Sequence, residues 1–412
     1  MRQAGGTPWG LMAALIAAPT LAAQADPAVT PCVIEGGAAP RLMAPAPVPE
    51  LEARVAADTN DAQAHFQLAL GYWTEQRYAD VERSLRTVLA IEPRFPVAML
   101  ALSQLPFACN PRLRFQDPDR LPPPWRQRLE ESRDLERRAF LLDPLVDLSI
   151  IGAVLPVLEL RILGNSREAR RVREMFAAIQ DVTDGRYGEG YDRLGGLIRA
   201  LEADRRSGGP PEVLYWYRGL AAGHLEKWDL AIADIGRLLD RAEAPADTTA
   251  VPMAFTQVNE FRYLLAVLQH RAGRLDEAVR LYHACLEQDL GLYPAHVQLA
   301  RIYQARREWD LALLERRRAL EASPDDPDLL LEYGVTLFRA GHGAEAEEPL
   351  AQVAAARPRN YHAEYYLGAI AAAANDTGAA RRHFLRFLAL APRRLTERIA
   401  EVTGLLAGLP EP

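Results

Sequence analysis

Lysine is almost missing from this chain. Lys227 is the only one among 48 basic residues, so nearly all the positive charge is arginine. Arginine in such numbers reads either as anion recognition or as the codon bias of a G+C-rich genome, and the many alanines favour the second. No Lys/Arg block stands out and the formal net charge is −7, which argues against a nucleic-acid partner. Cysteine is scarce as well, with Cys32, Cys109 and Cys285 the only three. After the first 25 residues no apolar run approaches the ~20 residues needed to span a bilayer, so no transmembrane segment is expected in the mature chain. What remains is an ordinary globular balance, 49% hydrophobic and 25% charged, which excludes a wholly disordered or fibrous protein. At roughly 150 residues per domain, 412 residues suggest two or three domains.

Reactive motifs are missing too. There is no G-x-x-x-x-G-K-[ST], no H-E-x-x-H, no C-x-x-C and no G-x-S-x-G. Gly185, Gly188, Gly190, Gly195 and Gly196 form a glycine-rich patch, but it lies in a helical turn and the helix after it. A dinucleotide loop needs a preceding strand. His283 and Cys285 are two apart, so on a helix they face different ways. His362 and Tyr366 share a face but have no third ligand. Glu347 with Glu348, and Asp325 with Asp326, read as solvated turn or helix-surface pairs. No catalytic residue, no metal and no cofactor is expected.

The N-terminus reads as a targeting segment. Arg2 precedes an apolar run from Trp9 to Ala23 that ends in Ala23-Gln24-Ala25, the layout of a secretory signal peptide. Residues 1–25 are therefore expected to be removed, leaving a periplasmic or secreted protein that begins with a Pro/Ala-rich leader, 26–50. Export permits a disulfide, and Cys32 and Cys109 both lie in Pro-rich, loop-like segments, so they are a possible pair. Cys285 sits in a helical pattern and reads as a small buried filler.

The rest of the chain repeats. Ala278, Ala312, Ala346 and Ala380 follow one another at intervals of 34 residues. Ala266, Ala300, Gly334 and Gly368 keep the same interval, each 12 residues before its partner. Pro324, Pro358 and Pro392 repeat in step. The pattern extends backwards through Gly219 and Ala231, Ala178 and Gly190, and Ala69 and Val81. A large residue recurs three before the second small position: Tyr78, Tyr187, Trp228, Leu275 and Trp309. Seven units are legible, starting near residues 62, 171, 212, 259, 293, 327 and 361.

This pattern resembles the tetratricopeptide (TPR) repeat, a helix–turn–helix unit. The physical sense of it is direct. Small residues at the eighth and twentieth positions let two antiparallel helices approach closely, and the proline at position 32 stops the second helix. The resemblance implies an all-α protein, a right-handed superhelical solenoid of helix–turn–helix repeats with a C-terminal cap helix. Leu395, Ile399, Val402 and Leu406 lie on one face of that cap.

The departures divide the chain. A sub-array is expected over 51–242, with a proline-rich insertion at 106–124 and a long apolar helix from Leu145 to Leu163. A linker follows at 243–258, then the main array at 259–392, then the cap and tail at 393–412. The 96–170 stretch fits the repeat poorly, and its helix parity is open.

In tetratricopeptide proteins the first helices line a concave groove. The resemblance places Tyr263, His270, Gln298, Arg301, Gln304, Glu332, Phe338, His362, Tyr365 and Tyr366 there. A wet, aromatic groove with an arginine suits a peptide or a partner helix, although tyrosines at such positions also serve merely to pack neighbouring helices. The expected function is a non-enzymatic protein–protein interaction scaffold in the bacterial cell envelope. Two alternatives stand beside it: a structural accessory subunit of an outer-membrane export, polysaccharide or cell-wall machine, and an enzyme with its site in the irregular 96–170 region.

Overall fold

A computed structural model describes residues 46–109, 113, 118–146, 167–204, 209–243 and 258–409. The expected signal peptide, most of the leader, Cys32 and linker residues 244–257 lie outside these residues, and so does the side chain of Cys109. The expected Cys32–Cys109 bridge is therefore outside them too. Among the described residues there are eighteen α-helices and no strand. No helix among them is long and apolar enough to cross a membrane.

The helices are α1 (Val48–Ala57), α2 (Ala62–Thr74), α3 (Tyr78–Ile91), α4 (Pro96–Cys109), α5 (Pro123–Leu142), α6 (Arg167–Thr183), α7 (Tyr187–Ala203), α8 (Glu212–His224) and α9 (Trp228–Glu243). Then come α10 (Val258–Arg271), α11 (Leu275–Gln288), α12 (Tyr293–Ala305), α13 (Trp309–Ala322), α14 (Pro327–Arg339), α15 (Gly343–Ala356), α16 (Tyr361–Ala373), α17 (Thr377–Leu390) and α18 (Thr396–Gly408). Tyr78, Tyr187, Trp228, Leu275 and Trp309 each open the second helix of a unit. The leader overlaps α1: Val48, which it was expected to contain, is a buried helical residue.

The turn between the two helices carries a backbone signature. Gln76, Gly185, Glu226, Gly273, Arg307, Gly341 and Asn375 all have positive φ, between 56° and 90°. Each is the fifteenth residue of one of the seven units, the left-handed residue that ends the first helix and frees the chain to reverse. Glycine adopts this conformation without strain, and asparagine tolerates it. The repeat phase read from the small residues is thus the phase of the backbone, including the weakly patterned units at 171 and 212.

The small positions behave as their spacing requires. Ala266, Ala278, Ala300, Ala312, Ala346 and Ala380 are fully buried. At the eighth position of the last two units only glycine fits the observed spacing. A Cβ on Gly368 would stand 2.5 Å from the Phe384 ring, and one on Gly334 would stand 2.8 Å from Leu350. The helices are packed backbone to side chain there, with no room for a methyl group.

The chain divides into two compact units that do not follow the linear division read from the sequence. The first comprises residues 69–86 and 95–226. Within it α4 packs against α5, and α6, α7 and α8 pack on one another. The sequence reads this stretch as a repeat with an insertion at 106–124. However, α4 runs on through Pro106 to Cys109, and α5 already starts at Pro123, so the insertion is shorter than 106–124. It has a small core of its own, in which Leu113, Leu121 and Leu129 are buried beside Phe107 and Trp125. Ser132 Oγ donates to the Ser103 carbonyl at 2.6 Å and ties the two helices. The apolar helix expected from Leu145 does not begin there: residues 143–146 form a turn, and 147–166 lie outside the described residues.

The second unit comprises 46–68, 87–94 and 227 onward. Its helices α9 to α18 pack each on the next. The cap helix α18 buries Val402 against Ala380, Phe384 and Phe387, with Ile399 and Leu406 beside it. Three of the four residues read as its apolar face, Ile399, Val402 and Leu406, thus pack on the last helix pair, while Leu395 sits at the N-cap of α18. Asn360 and Asp376 cap α16 and α17 by accepting from the backbone N–H groups of Ala363 and Ala379.

Candidate interaction groove

The first helix of the unit at 293 carries the plainest surface signal. Along α12 the residues Pro294, Ala295, His296, Val297, Leu299, Ala300, Ile302 and Tyr303 are all buried. Gln298, Arg301 and Gln304 are the interruptions: Arg301 is exposed and the two glutamines are half-buried. Steps of three residues keep them on one stripe of the helix. All three belong to the set expected to line a groove.

The other expected residues have different places. His270 is half-buried at the end of α10, edge-on to Tyr282 at 6.3 Å. Burial and the nearby Arg301 and Arg271 hold its pKa below 6.5. Tyr263 is a correction. It has no exposed surface and packs against Tyr282 inside the α10–α11 pair, so no partner touches it. Burial drives its phenol pKa far up, opposed by a hydrogen bond with Gln298. Tyr365 is committed to the cap: its hydroxyl is 2.8 Å from Glu401, Arg398 lies 4.4 Å over its ring, and Phe387 is edge-on at 5.8 Å. Tyr366 meets Phe338 at 5.4 Å and Tyr365 at 5.1 Å. His362 is exposed and leans on Tyr361.

Glu332 on α14 is the most heavily engaged of them. Arg301 reaches it at 3.3 Å and Arg94 at 3.1 Å, and Arg316 of α13 donates to it as well. Burial alone would raise its pKa, but Arg316, Arg94 and Arg301 outweigh this and the pKa falls below the usual carboxylate value. Arg316 is nearly enclosed, 4% exposed, and burial pulls its guanidinium down to about 10. It stands at the twenty-fourth position of its unit. Its counterparts in the neighbouring units are Tyr282, Leu350 and Phe384, all fully buried. The sequence held the signal for this site, an arginine at a repeat position otherwise given to large apolar or aromatic residues.

Among the described residues of the irregular 96–170 region, Glu131 and Arg128 pair with charged groups of α3. Glu131 of that region and Glu82 of α3 both bind Arg86, at 3.0 and 2.8 Å, and Glu82 also meets Arg128 at 3.6 Å. The cavity beside them holds about 20 Å³, room for about one water. Among the described residues no group of three His, Cys, Asp or Glu could hold a metal. Cys285 is fully buried with its thiol pushed up to about 12 by burial, which fits the small buried filler expected of it.

Residues 262–292 and 295–330 match the tetratricopeptide repeat family. The matched stretches fall on the helix pairs α10–α11 and α12–α13. No curated protein matches the chain. Among solved structures it is similar to the C-terminal part of a TPR repeat-containing protein from Cytophaga hutchinsonii, at 17% identity over 57% of this chain and 86% of that one, with a TM-score of 0.46. Yeast Tom70 aligns at 12% identity over 87% of this chain and 91% of its own, with a TM-score of 0.39. A thermophilic TPR protein of Thermus thermophilus aligns at 21% identity over 47% and 99%, with a TM-score of 0.31.

Proposed function

We propose that this protein is a non-enzymatic interaction scaffold of the bacterial cell envelope. It binds an extended peptide or a partner helix along the first helices of its tetratricopeptide units. The observation that carries this reading is the polar stripe of α12, where Gln298, Arg301 and Gln304 reach the surface between the buried residues that run from Pro294 to Tyr303. Arg301 supplies charge-assisted donors to a carboxylate or carbonyl of the partner, and the glutamines supply both donors and acceptors. His270 and His362 extend the same surface. The envelope location is supported by the Trp9–Ala23 run and the Ala23-Gln24-Ala25 pattern.

The test is affinity capture of the mature protein from its native envelope, with the partner identified by mass spectrometry. Binding is then measured for Arg301→Ala and for Gln298→Ala with Gln304→Ala. Loss of about 2 kcal/mol or more in the arginine variant is the expected result for a central anchor. Equal affinity in all variants defeats the groove reading. N-terminal sequencing that finds the mature chain uncut defeats the location.

A further inference from the structure

Arg94 lies just beyond the end of α3 and, with residues 87–93, belongs to the second compact unit. Its guanidinium enters the acidic N-terminal turn of α14. It stands 3.4 Å from Asp326, 3.8 Å from Asp328 and 3.1 Å from Glu332, and is 16% exposed. Burial works against this charge, and the three carboxylates more than compensate. A second attachment lies alongside. Asn60 donates to the Leu390 carbonyl at 2.7 Å and accepts from Arg359 at 2.7 Å, and Asp58 accepts from the backbone of Arg393 at 3.0 Å.

We propose that residues 46–68 and 87–94 form a releasable clasp whose Arg94 occupies, in cis, the groove carboxylate Glu332, an autoinhibitory contact. The inference rests on the groove reading above. Three features make release feasible. Glu332 keeps Arg316 and Arg301, Asp328 keeps Arg357 at 2.5 Å, and Asp326 still accepts from the Asp328 backbone N–H at 2.9 Å as the cap of α14, so each of the three carboxylates retains a partner when Arg94 leaves. Arg94 itself is imperfectly served, because its buried Nε has no hydrogen-bond partner. A buried ion pair of this kind gains little net energy over its solvated parts. With Arg94 in place, the acidic end of the groove is filled by the chain's own guanidinium. With Arg94 out, the same place accepts a cationic group of a partner.

The experiment needs no partner. Carboxyl groups of the full chain are labelled with a carbodiimide and glycine ethyl ester, and the extent at Glu332 is read by peptide mapping. Arg94→Ala is expected to raise labelling of Glu332 by about tenfold, with Arg94→Lys between it and the parent. Glu364, buried on α16, is the internal control and should not change. In the parent chain, amide hydrogen exchange over 87–94 should outrun that of α12 and α13. Unchanged labelling of Glu332, a parallel rise at Glu364, or exchange over 87–94 as slow as in α12 and α13 overturns the clasp. Release of Glu332 with a captured partner that ignores the groove variants leaves the clasp standing and removes the groove reading.

Discussion

The repeat that starts at residue 293 and the repeat that starts at 361 fill the same positions with opposite residues. At positions four and twenty-three the first has His296 and Glu315, 2.6 Å apart, and the second has Glu364 and His383, 2.8 Å apart. In both, an arginine at position twenty-six closes on the glutamate, Arg318 at 2.8 Å and Arg386 at 3.0 Å. The pair spans the two helices of the unit, so what the site requires is complementarity across the gap, whichever helix supplies the acid. At positions eight and twenty-four the two units differ in kind. The later one has Gly368 beneath the Phe384 ring, and the earlier one has Ala300 with Arg316. A ring demands the space that glycine leaves. An arginine spends its length reaching out of the core to Glu332. One repeat pattern therefore makes an apolar core in one unit and a buried ion pair in another.

The largest expected effect tests that second difference. Glu332→Leu strands Arg316, whose only ion-pair partner among the described residues it is, and should cost about 3–5 kcal/mol in urea or thermal unfolding. Adding Arg316→Leu restores the apolar residue that Leu350 represents one unit on, and should recover most of the loss. If the double variant is as weak as the single one, Arg316 is not the reason for the cost.

The swapped pair is tested next. His296→Leu leaves Glu315 buried without its closest partner and should cost about 1–3 kcal/mol. Exchanging the two, His296→Glu with Glu315→His, rebuilds the arrangement found at 364 and 383 and should be within about 1 kcal/mol of the parent. Gly368→Ala drives a methyl group into a rigid, buried ring and should cost about 1–3 kcal/mol. The mirror change Ala300→Gly only loosens a helix that already has its space, at about 0.5–1 kcal/mol. Equal costs for these two would show that the crowding at Phe384 relaxes freely.

The smallest effect is one of pH. Burial lowers the pKa of both His65 and His270 from 6.5, so the unfolded chain takes up these protons before the folded one does. Their contribution is complete above about 6.5 and is lost as pH falls through the folded values. The urea midpoint should decline on acidification in that window. The decline should shrink in His65→Asn with His270→Gln.

Most of the fold was legible because helix pairs announce themselves locally. The small residues at positions eight and twenty set the phase, and the positive-φ turns at position fifteen agree with it in every unit. Surface exposure was less legible. Tyr263 occupies a groove position by count, but Tyr282 on the next helix draws it into the interior, and register alone does not reveal that. Tyr365 was ambiguous for a similar reason, since Glu401 and Arg398 come from a cap helix with no repeat position. Arg94 lay beyond sequence reasoning because its partners are more than 230 residues away, and no periodicity links a turn to a helix end at that distance.

The single lysine has a consequence for proteolysis. Lys227 is exposed in the turn before α9, the residue at which the second compact unit resumes. A protease specific for lysine has one site in the chain and divides it there. The cut does not free the second unit from the first fragment, because that unit is built from both sides of it. Residues 46–68 and 87–94 would stay with the later helices through Asn60, Asp58 and Arg94. The two fragments should run separately in denaturant and elute together without it.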